Sequence, residues 1–389
     1  MTNGKTWLYV GAIVVIVVIA WYFMTPPIEP EPEAKILLAY DIGGRGDLSF
    51  CDAGFHGCRL AERDFNIEFD QITPLSLAEL EDTLRTVSQS EDYDLIICLG
   101  FYWTDAINVV APEFPEQYYL GLDVFIANLS NVIGIGFREQ QGCALAGCIA
   151  GLLTQTNNVG LVLGDEIPVL WKFEIGYKFG VDYANNLTGK DVTVQYHYTG
   201  HFDRPDLGRD SAIAMIDQGA DIIFVAAGET GLGGLDAIAE RGSQNELPFL
   251  IGVDANQDWV HPGQIYTTVR KGVDVGCYYG IQQVVEGTFE GGLLIWGIEE
   301  GGIFLSDLTD LNEWLADSEQ AAVIESTTGM TVDEVRDAIV ALWDTWEVVD
   351  GYDVWAITND LEEAIVNGDL VVPEPWTQSE VDYWRSKYG

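Results

Sequence analysis

The sequence predicts an α/β protein with two Rossmann-like parallel-sheet domains joined by a hinge, preceded by one N-terminal transmembrane helix. Three observations predict this arrangement. From residue 36 onward, runs of Val, Ile and Leu alternate with stretches of helical periodicity. The nine predicted strands are more than a sheet of ordinary size contains, which indicates more than one sheet. An uninterrupted apolar stretch of 17 residues, 7–23, precedes them all.

The predicted elements alternate along the whole chain, as in repeated βα units. Strands are predicted at 36–40, 94–99, 119–122, 132–135, 159–163, 192–196, 222–225, 249–252 and 265–269. Helices are predicted at 75–88, 139–154, 173–185, 209–217, 232–241 and 273–286. A natural break falls at 135–138, and a second βα series starts at Val159. We therefore expect a ligand cleft between two similar domains.

The N-terminal apolar stretch is long enough to act as a membrane anchor. At 1.5 Å per residue it reaches roughly 25 Å, the short end of a spanning helix. Aromatic residues lie at both ends, Lys5 precedes it and Glu31 follows it, so the N-terminus is expected in the cytoplasm and the bulk of the chain outside. A cleaved signal peptide is the alternative, but no small-residue cleavage site follows. The stretch 25–33 is rich in Pro and Glu and predicts an extended stalk.

The charge balance restricts the partners. The chain of 389 residues carries 62 acidic and 18 basic residues, a formal net charge of -44. Nucleic-acid binding needs a basic face, so a nucleic-acid partner is excluded. An anionic ligand is disfavoured for the same reason. Such acidity suits a saline or an acidic exterior, and composition does not choose between them.

The first strand leads into an acidic, glycine-containing loop at 41–49 and then into a helical pattern. In open parallel sheets, ligands bind where the strands end. The predicted ligand-binding residues here are Asp41, Asp47, Ser49, Phe50 and Asp52. Carboxylates disfavour a pyrophosphate and suit hydroxyl donors, an amine or a metal. The alternative is that Asp47 or Ser49 only caps the following helix.

Three later strand ends supply further candidates. A second Gly-rich loop contains Gly228, Thr230 and Gly231 and can bring backbone N–H groups close to a ligand. Asp254 follows another strand and is placed to accept hydrogen bonds from paired hydroxyl groups of a ligand. Lys271 would either place a positive charge in the acidic cleft or form an ion pair on the surface. Phe50 and Phe202 are candidates for stacking on a flat ligand, although an aromatic residue is more often part of a core.

Several functions have no local signature in the sequence. No Walker loop, nucleophile elbow or zinc spacing of His and Cys is present, so we expect no enzyme, cofactor or metal site and interpret the histidines as mostly structural. Cys98 and Cys277 lie in apolar runs that predict buried thiols. Disulfides within 51–58, within 143–148 or between these segments remain alternatives. The acidic, Trp-rich segment 307–360 has no predicted role.

The chain resembles the basic membrane protein family, the PnrA-like substrate-binding lipoproteins of ABC transporters. The resemblance runs from about residue 36 to 373. The matching pieces are Asp41-x-Gly-x-x-Gly46-Asp47-x-Ser49-Phe50, Arg138-Glu139 with 142–151, 159–164, 173–181, 200–203, 219–224 with the Gly228 loop, 252–254, 267–271, 366–369 and 372–373. Cys51 stands where the family often has asparagine, and the lipid-anchor cysteine is missing. An apolar span in its place is typical of an archaeal surface protein, in which Asn128 and Asn186 would be glycosylation acceptors.

The resemblance implies a type I periplasmic-binding-protein fold with three crossovers and a site for purine nucleosides. Phe50 and Phe202 would stack on the base, Asp254 would hold the ribose, Asp47 would contact base or sugar, and Lys271 with the 228–231 backbone would complete the site. An ABC transporter permease would be the partner. We divide the chain into an anchor (1–24), a stalk (25–35), a first domain (36–136 plus 270–300), a second domain (137–269 plus 301–375) and a C-terminal tail (376–389).

Three alternatives stay open at this point. The same fold could bind another small neutral or cationic ligand. A cell-surface structural or assembly protein could reuse the fold with a cleft that binds nothing. An extracellular hydrolase is the third alternative, although no nucleophile–base pair is visible in the sequence.

Overall fold

The computed structural model describes residues 32–316 and 318–388, and residues 34–389 form one compact unit. The predicted transmembrane helix and residues 25–31 of the predicted stalk lie outside the described residues. Within the described part of the chain, no helix is both long and apolar enough to cross a bilayer.

The first sheet has six parallel strands in the order β11-β5-β4-β3-β1-β2. Its four inner strands, β1, β3, β4 and β5, are almost fully buried where the sequence has continuous apolar runs, since helices cover both faces. The elements are β1 (Lys35–Tyr40), α1 (Phe50–Phe65), β2 (Glu68–Ile72), α2 (Leu80–Ser90), β3 (Leu95–Leu99), α3 (Trp103–Val110), β4 (Tyr118–Leu122) and β5 (Val132–Phe137).

The second sheet also has six strands, in the order β12-β10-β9-β8-β6-β7, and only β12 runs antiparallel to its neighbour. Its elements are α4 (Glu139–Leu153), β6 (Asn158–Leu163), α5 (Pro168–Thr188), β7 (Thr193–Tyr198), α6 (Pro205–Asp217), β8 (Ile222–Ala226), α7 (Glu229–Arg241), β9 (Phe249–Asp254) and β10 (Ile265–Lys271). Both sheets together confirm the predicted α/β class with parallel sheets.

The chain passes between the two sheets three times. It leaves the first sheet at Phe137 and enters α4 at Glu139. After β10 it returns through α8 (Val273–Val285) to β11 (Gly292–Trp296), which pairs with β5. It then crosses back to β12 (Ile303–Leu305), which pairs with β10. The carboxyl ends of strands from both sheets therefore come to face each other.

Three of the four edge strands, β2, β11 and β12, were not predicted from the sequence, whereas the edge strand β7 was predicted at 192–196. β2 has only exposed and half-buried residues, β11 is half-buried, and β12 has three residues. β2 and β12 have no long continuous apolar run, and β11 has one of only four residues, 293–296. Their assignment depends on the neighbours with which they pair.

The Trp-rich segment 307–360 covers the second sheet. It forms α9 (Leu308–Ala316), α10 (Ser318–Thr328), α11 (Val332–Thr345), a hairpin of β13 (Val348–Val349) and β14 (Tyr352–Asp353), and α12 (Val354–Val366). The indole N–H of Trp343 donates to the carbonyl of Tyr266 at 2.6 Å, and the ring of Trp355 stacks on the ring of Tyr266. The tryptophans thus seal apolar surface beside β10.

The C-terminal residues are docked on the second sheet's helices. Helix α13 (Gln378–Tyr388) places Arg385 against the buried carboxylate of Glu174, with an Nη2–Oε2 distance of 2.7 Å. Trp376 lies 4.7 Å from the ammonium group of Lys172 and packs edge-on against Phe125. The predicted tail is therefore an ordered part of the compact unit.

All six cysteines are buried free thiols, so the disulfide alternatives are not formed. Cys51 and Cys58 lie seven residues apart on α1, and Cys143 and Cys148 lie five apart on α4. A rise of about 1.5 Å per residue separates each pair along one helix by more than a disulfide spans.

Asn128 and Asn186 are both exposed, and Asn186 lies within α5, where its side-chain amide donates to the carbonyl of Asp182. Their glycosylation stays a prediction.

Candidate functional site

The strand ends of both sheets border a cavity with about 690 Å³ of empty space, part of which is open to solvent. The first sheet contributes the loops after β1, β3 and β4, and the second sheet contributes the segments after β6, β7 and β8 and the ends of β9 and β10. The lining residues are Asp41, Ile42, Gly43, Asp47, Phe50, Cys51, Gly100, Phe101, Tyr102, Asp123, Ile167, Val169, Leu170, Phe173, Phe202, Ala226, Ala227, Gly228, Glu229, Val253, Asp254 and Lys271.

The structure brings seven of the sequence-predicted site residues together around this cavity. They come from strand ends up to 230 positions apart in the chain, from Asp41 to Lys271. The seven are Asp41, Asp47, Phe50, Phe202, Gly228, Asp254 and Lys271. Parallel strands place their carboxyl ends at one edge of each sheet, and the three crossings turn these two edges toward each other.

Four predicted site residues lie behind the lining instead. Asp52 accepts from the backbone N–H groups of Gly46 and Leu48 and so fixes the loop before α1. The Thr230 hydroxyl accepts from the N–H of Arg204 at 2.8 Å, and Gly231 packs against Val225. Ser49 donates from Oγ to Oδ2 of Asp254 at 2.6 Å. These residues shape the walls through neighbours that do line the cavity.

Asp47 caps helix α1 and also borders the cavity. Its carboxylate accepts from the backbone N–H groups of Ser49 and Cys51 at 2.9 Å and from that of Asp52 at 3.1 Å. The capping alternative is thus confirmed for Asp47, whereas the Ser49 side chain makes no cap hydrogen bond. Because three amides already occupy its oxygens, Asp47 has little acceptor capacity left for a ligand.

Asp41 sits in a recess that only glycine permits. The backbone of Gly100 has a φ of +117°, and a Cβ atom there would lie 1.8 Å from Oδ2 of Asp41. Oδ1 of Asp41 accepts from the N–H of Ile42 at 2.7 Å. Gly100 therefore leaves the space in which the Asp41 carboxylate points along the cavity floor.

A buried ionic cluster adjoins the cavity, and two of its members, Asp123 and Lys271, line it. Nζ of Lys271 lies 2.6 Å from Oδ2 of Asp123 and 3.0 Å from Oε1 of Glu139. Lys172 pairs with the other oxygen of Glu139 and donates to the carbonyl of Phe137 at 2.6 Å. All four charged side chains are at most 7% exposed. Lys271 is therefore a buried cation of the cavity, and the surface-ion-pair alternative is wrong.

Sequence reasoning missed Asp123, Glu139 and Lys172. One signal was available, because Asp123 directly follows the apolar run of β4, as Asp41 follows β1. Asp123 also has a left-handed backbone, with φ of 61°, close to the 63° of Asp254. Nothing in the local sequence distinguishes Glu139 or Lys172 from surface residues, because they are buried only by the crossing between the sheets.

Aromatic rings also line the cavity. Phe50, Phe173 and Phe202 are among the lining residues, and the Phe202 ring packs over the backbone of Gly164, where a Cβ atom would lie 2.1 Å from the ring. The ammonium group of Lys271 lies 5.2 Å from the centroid of Phe50 and 5.8 Å from that of Phe173. The cavity therefore offers both flat apolar surface and carboxylate acceptors.

Similarity to known proteins identifies the family of this chain. The family model described as ABC transporter substrate-binding protein, PnrA-like, matches residues 35–332. This chain belongs to that family. A crystal structure of an ABC transporter system solute-binding protein from Aeropyrum pernix K1 superposes with a TM-score of 0.84 at 34% identity, covering 91% of this chain and 97% of that chain.

Two relatives support the same PnrA-like family. An uncharacterized lipoprotein of Pyrococcus abyssi is 35% identical over 355 residues, which cover 90% of this chain and 86% of that protein. Basic membrane protein A of Borreliella burgdorferi is 33% identical over 274 residues, 69% of this chain and 77% of that protein. The predicted family is thus confirmed, and with it the role of a substrate-binding protein.

Burial controls the protonation of this PnrA-like cavity. It raises the pKa of Asp41 to about 7, with the Asp123 and Asp47 carboxylates adding to the effect. It raises the pKa of Asp123 to about 6, although Lys271 opposes this shift. Burial alone would lower the pKa of Lys271, but Asp123, Glu139 and Asp254 together raise it above its ordinary value. In the part of the chain that the structure describes, no group of three or more His, Cys, Asp and Glu side chains could hold a metal ion.

The raised pKa of Asp41 predicts a pH-dependent stability. Its folded-state pKa of about 7 exceeds the unfolded value near 3.9, so the folded state binds the extra proton and its stability falls as pH rises from about 4 to 7. In Asp41→Asn, the decrease in the free energy of unfolding between pH 4 and pH 7 should be smaller by roughly 1–3 kcal/mol. Partial exposure of Asp41 to solvent limits the size of this effect. Urea unfolding at pH 4 to 8 measures the slope. Equal slopes for both proteins would contradict an Asp41 carboxyl that is protonated near neutrality.

Proposed function

We propose that this protein is a membrane-anchored extracellular receptor that binds a purine nucleoside and delivers it to an ABC importer. The family supplies the coarser role of a substrate-binding protein with a small-molecule ligand and a permease partner. One observation carries the nucleoside assignment: aromatic rings and carboxylates line a single cavity. A nucleoside has a flat base joined to a sugar rich in hydroxyl groups, so both kinds of lining residue have a matching group in the ligand.

The aromatic lining residues support recognition of the base. Phe202 and Phe50 reach the cavity from different domains, so a flat ring held between them would contact both. Stacking of a base on an aromatic side chain contributes about 1–3 kcal/mol and tolerates any base, because every base has a π-face. Base identity would then depend on polar groups at the ring edge.

The carboxylates support recognition of the sugar hydroxyls. Oδ1 of Asp123 is buried and has no hydrogen-bond partner among the described residues, while Oδ2 is taken by Lys271. Asp254 has one oxygen engaged by Ser49 and also lines the cavity. Carboxylates accept hydrogen bonds from hydroxyl donors and repel phosphates, so a nucleoside is favoured over a nucleotide.

The membrane attachment is the second part of the proposal. The apolar stretch 7–23 would hold the receptor at the membrane, with the N-terminus in the cytoplasm. Relatives in the family are named lipoproteins, so attachment of the folded unit to a membrane is a property of those proteins. Here a spanning helix would take the place of the lipid. Two-phase detergent partition of the full chain and of residues 34–389 tests this role.

Calorimetry with residues 34–389 tests the ligand. We expect adenosine, guanosine or inosine to bind. Ribose and AMP should not bind, and a free base should bind more weakly than its nucleoside. Phe202→Ala should weaken nucleoside binding by about 5- to 150-fold, the equivalent of one lost stacking contact. Phe289→Ala removes an aromatic ring that stacks on Tyr118 outside the cavity and should leave the affinity unchanged.

An organic cation is a second candidate ligand, and the same calorimetric experiment can test it. The four lining aspartates outnumber the single lining lysine, which also favours an organic cation. Binding of a polyamine or another cationic amine, without binding of any nucleoside, would remove the nucleoside assignment and leave the receptor role in place. No binding of either class would instead favour a cell-surface structural role.

A further inference from the structure

The loop that precedes helix α1 is bound to the opposite domain. Ser49 Oγ donates to Oδ2 of Asp254 at 2.6 Å, and Nε2 of Gln257 donates to the backbone carbonyl of Leu48 at 2.8 Å. Leu48 and Ser49 follow a strand of the first sheet, whereas Asp254 and Gln257 follow a strand of the second. Each of these hydrogen bonds is buried or partly buried.

Leu48 adds an apolar contact to the same junction. Its backbone is left-handed, with φ of 50°, a conformation that residues other than glycine rarely adopt. The carboxylate of Asp52 holds this conformation by accepting from the Leu48 N–H at 2.9 Å. The Leu48 side chain packs against the second sheet's apolar cluster, which includes Leu235 and Val260. An unusual backbone thus directs a side chain of one domain into the apolar surface of the other.

We propose that Leu48, Ser49 and Gln257 form an interdomain latch that sets ligand affinity without touching the ligand. The latch rests on the proposed receptor function, because its residues would regulate ligand binding in the same cavity. Its contacts join the two domains across the cleft, so a domain movement that separates these residues would break them. They stabilise the closed arrangement alone.

Affinity follows from the closed fraction. When only the closed arrangement holds the ligand fully, the apparent dissociation constant equals the intrinsic one divided by the fraction of protein that is closed. Ser49 has a second effect, because its hydroxyl fixes one oxygen of Asp254 and so orients the other toward the cavity. The latch residues are therefore positioning residues for a cavity that Leu48 and Gln257 do not line.

Leu48→Ala tests the latch by nucleoside binding. We expect about tenfold weaker binding that comes from faster dissociation, with association nearly unchanged. Leu48→Met keeps the apolar reach and should restore affinity to within about twofold. Leu75→Ala removes the same side-chain atoms from a position of the first domain that is 92% exposed, and it should bind as the wild type does.

A distance measurement separates the latch from the ligand assignment. Spin labels at Gln89→Cys on α2 and Asp210→Cys on α6, both exposed, report the separation of the domains, and the six buried native thiols stay unlabelled. Leu48→Ala should shift the distance distribution from the closed toward the open population, with or without nucleoside. Identical distributions in wild type and Leu48→Ala overturn the latch. A shift in protein that binds no nucleoside overturns the nucleoside proposal and supports the latch.

Discussion

Replacing Lys271 by methionine should lower the free energy of unfolding by about 3–5 kcal/mol at pH 7, because it leaves buried carboxylates without their shared cation. Lys271 is 2% exposed and contacts Asp123 and Glu139 at 2.6 and 3.0 Å. At pH 5 the loss should be smaller, since Asp123, whose pKa is already raised to about 6, then takes up a proton in place of the cation. Urea titrations at the two pH values measure both effects.

Arg241→Met is the matched control for this prediction. Arg241 also pairs with an aspartate, Asp217, at 3.0 Å, but the two side chains are 45% and 59% exposed. An exposed ion pair contributes about 0–1 kcal/mol, so this variant should lose little stability at either pH. Equal losses for Lys271→Met and Arg241→Met would show that burial of the ionic cluster does not determine its contribution.

Asp254→Ala should weaken nucleoside binding by about 10- to 150-fold, the range expected when a charged acceptor of a hydrogen bond is lost. Asp254 lines the cavity at the end of β9, and burial raises its pKa while Lys271 and Ser49 oppose the shift. Calorimetry with the preferred nucleoside of the panel measures the loss. The enthalpy of binding should become less favourable as the hydroxyl contact disappears.

Ser49→Ala separates the carboxylate's direct role from its role in the latch. This variant breaks the same 2.6 Å hydrogen bond but leaves the carboxylate in the cavity. Its affinity loss should be clearly smaller than that of Asp254→Ala. If both variants lost the same affinity, Asp254 would act only through domain closure, and the proposed ribose contact would be wrong.

Much of the fold could be predicted from the sequence, because a strand that is buried on both faces is rich in consecutive apolar residues. All nine predicted strands are present, and most of them have a continuous apolar run that is long enough to recognise, whereas β7 and β10 contain polar residues within the run. Asp41 and Asp254 could be placed at the cleft because a polar residue that directly ends such a run must lie at the edge of the sheet. The same argument applies to Asp123 but was not made for it.

Other parts of the site depend on contacts between distant segments. Glu139 and Lys172 are buried because α4 and α5 pack together where the chain crosses between the sheets, and their local sequence has no sign of this. Thr230 and Asp52 stand next to ligand-facing positions in the sequence but turn toward Arg204 and the loop backbone. The direction of a loop side chain depends on which partners come near it, and the chain topology decides this.

The sequence by itself determined the α/β class, the family and the chemistry available at the strand ends, because periodicity and short motifs are local properties. Tertiary structure alone decided that Lys271 is a buried cation between Asp123 and Glu139, that the Trp-rich segment covers the second sheet, and that Leu48 crosses to the other domain. Each of these facts joins residues far apart in the chain. Such pairings depend on how the three crossings orient the sheets, and that orientation is a property of the whole packed molecule.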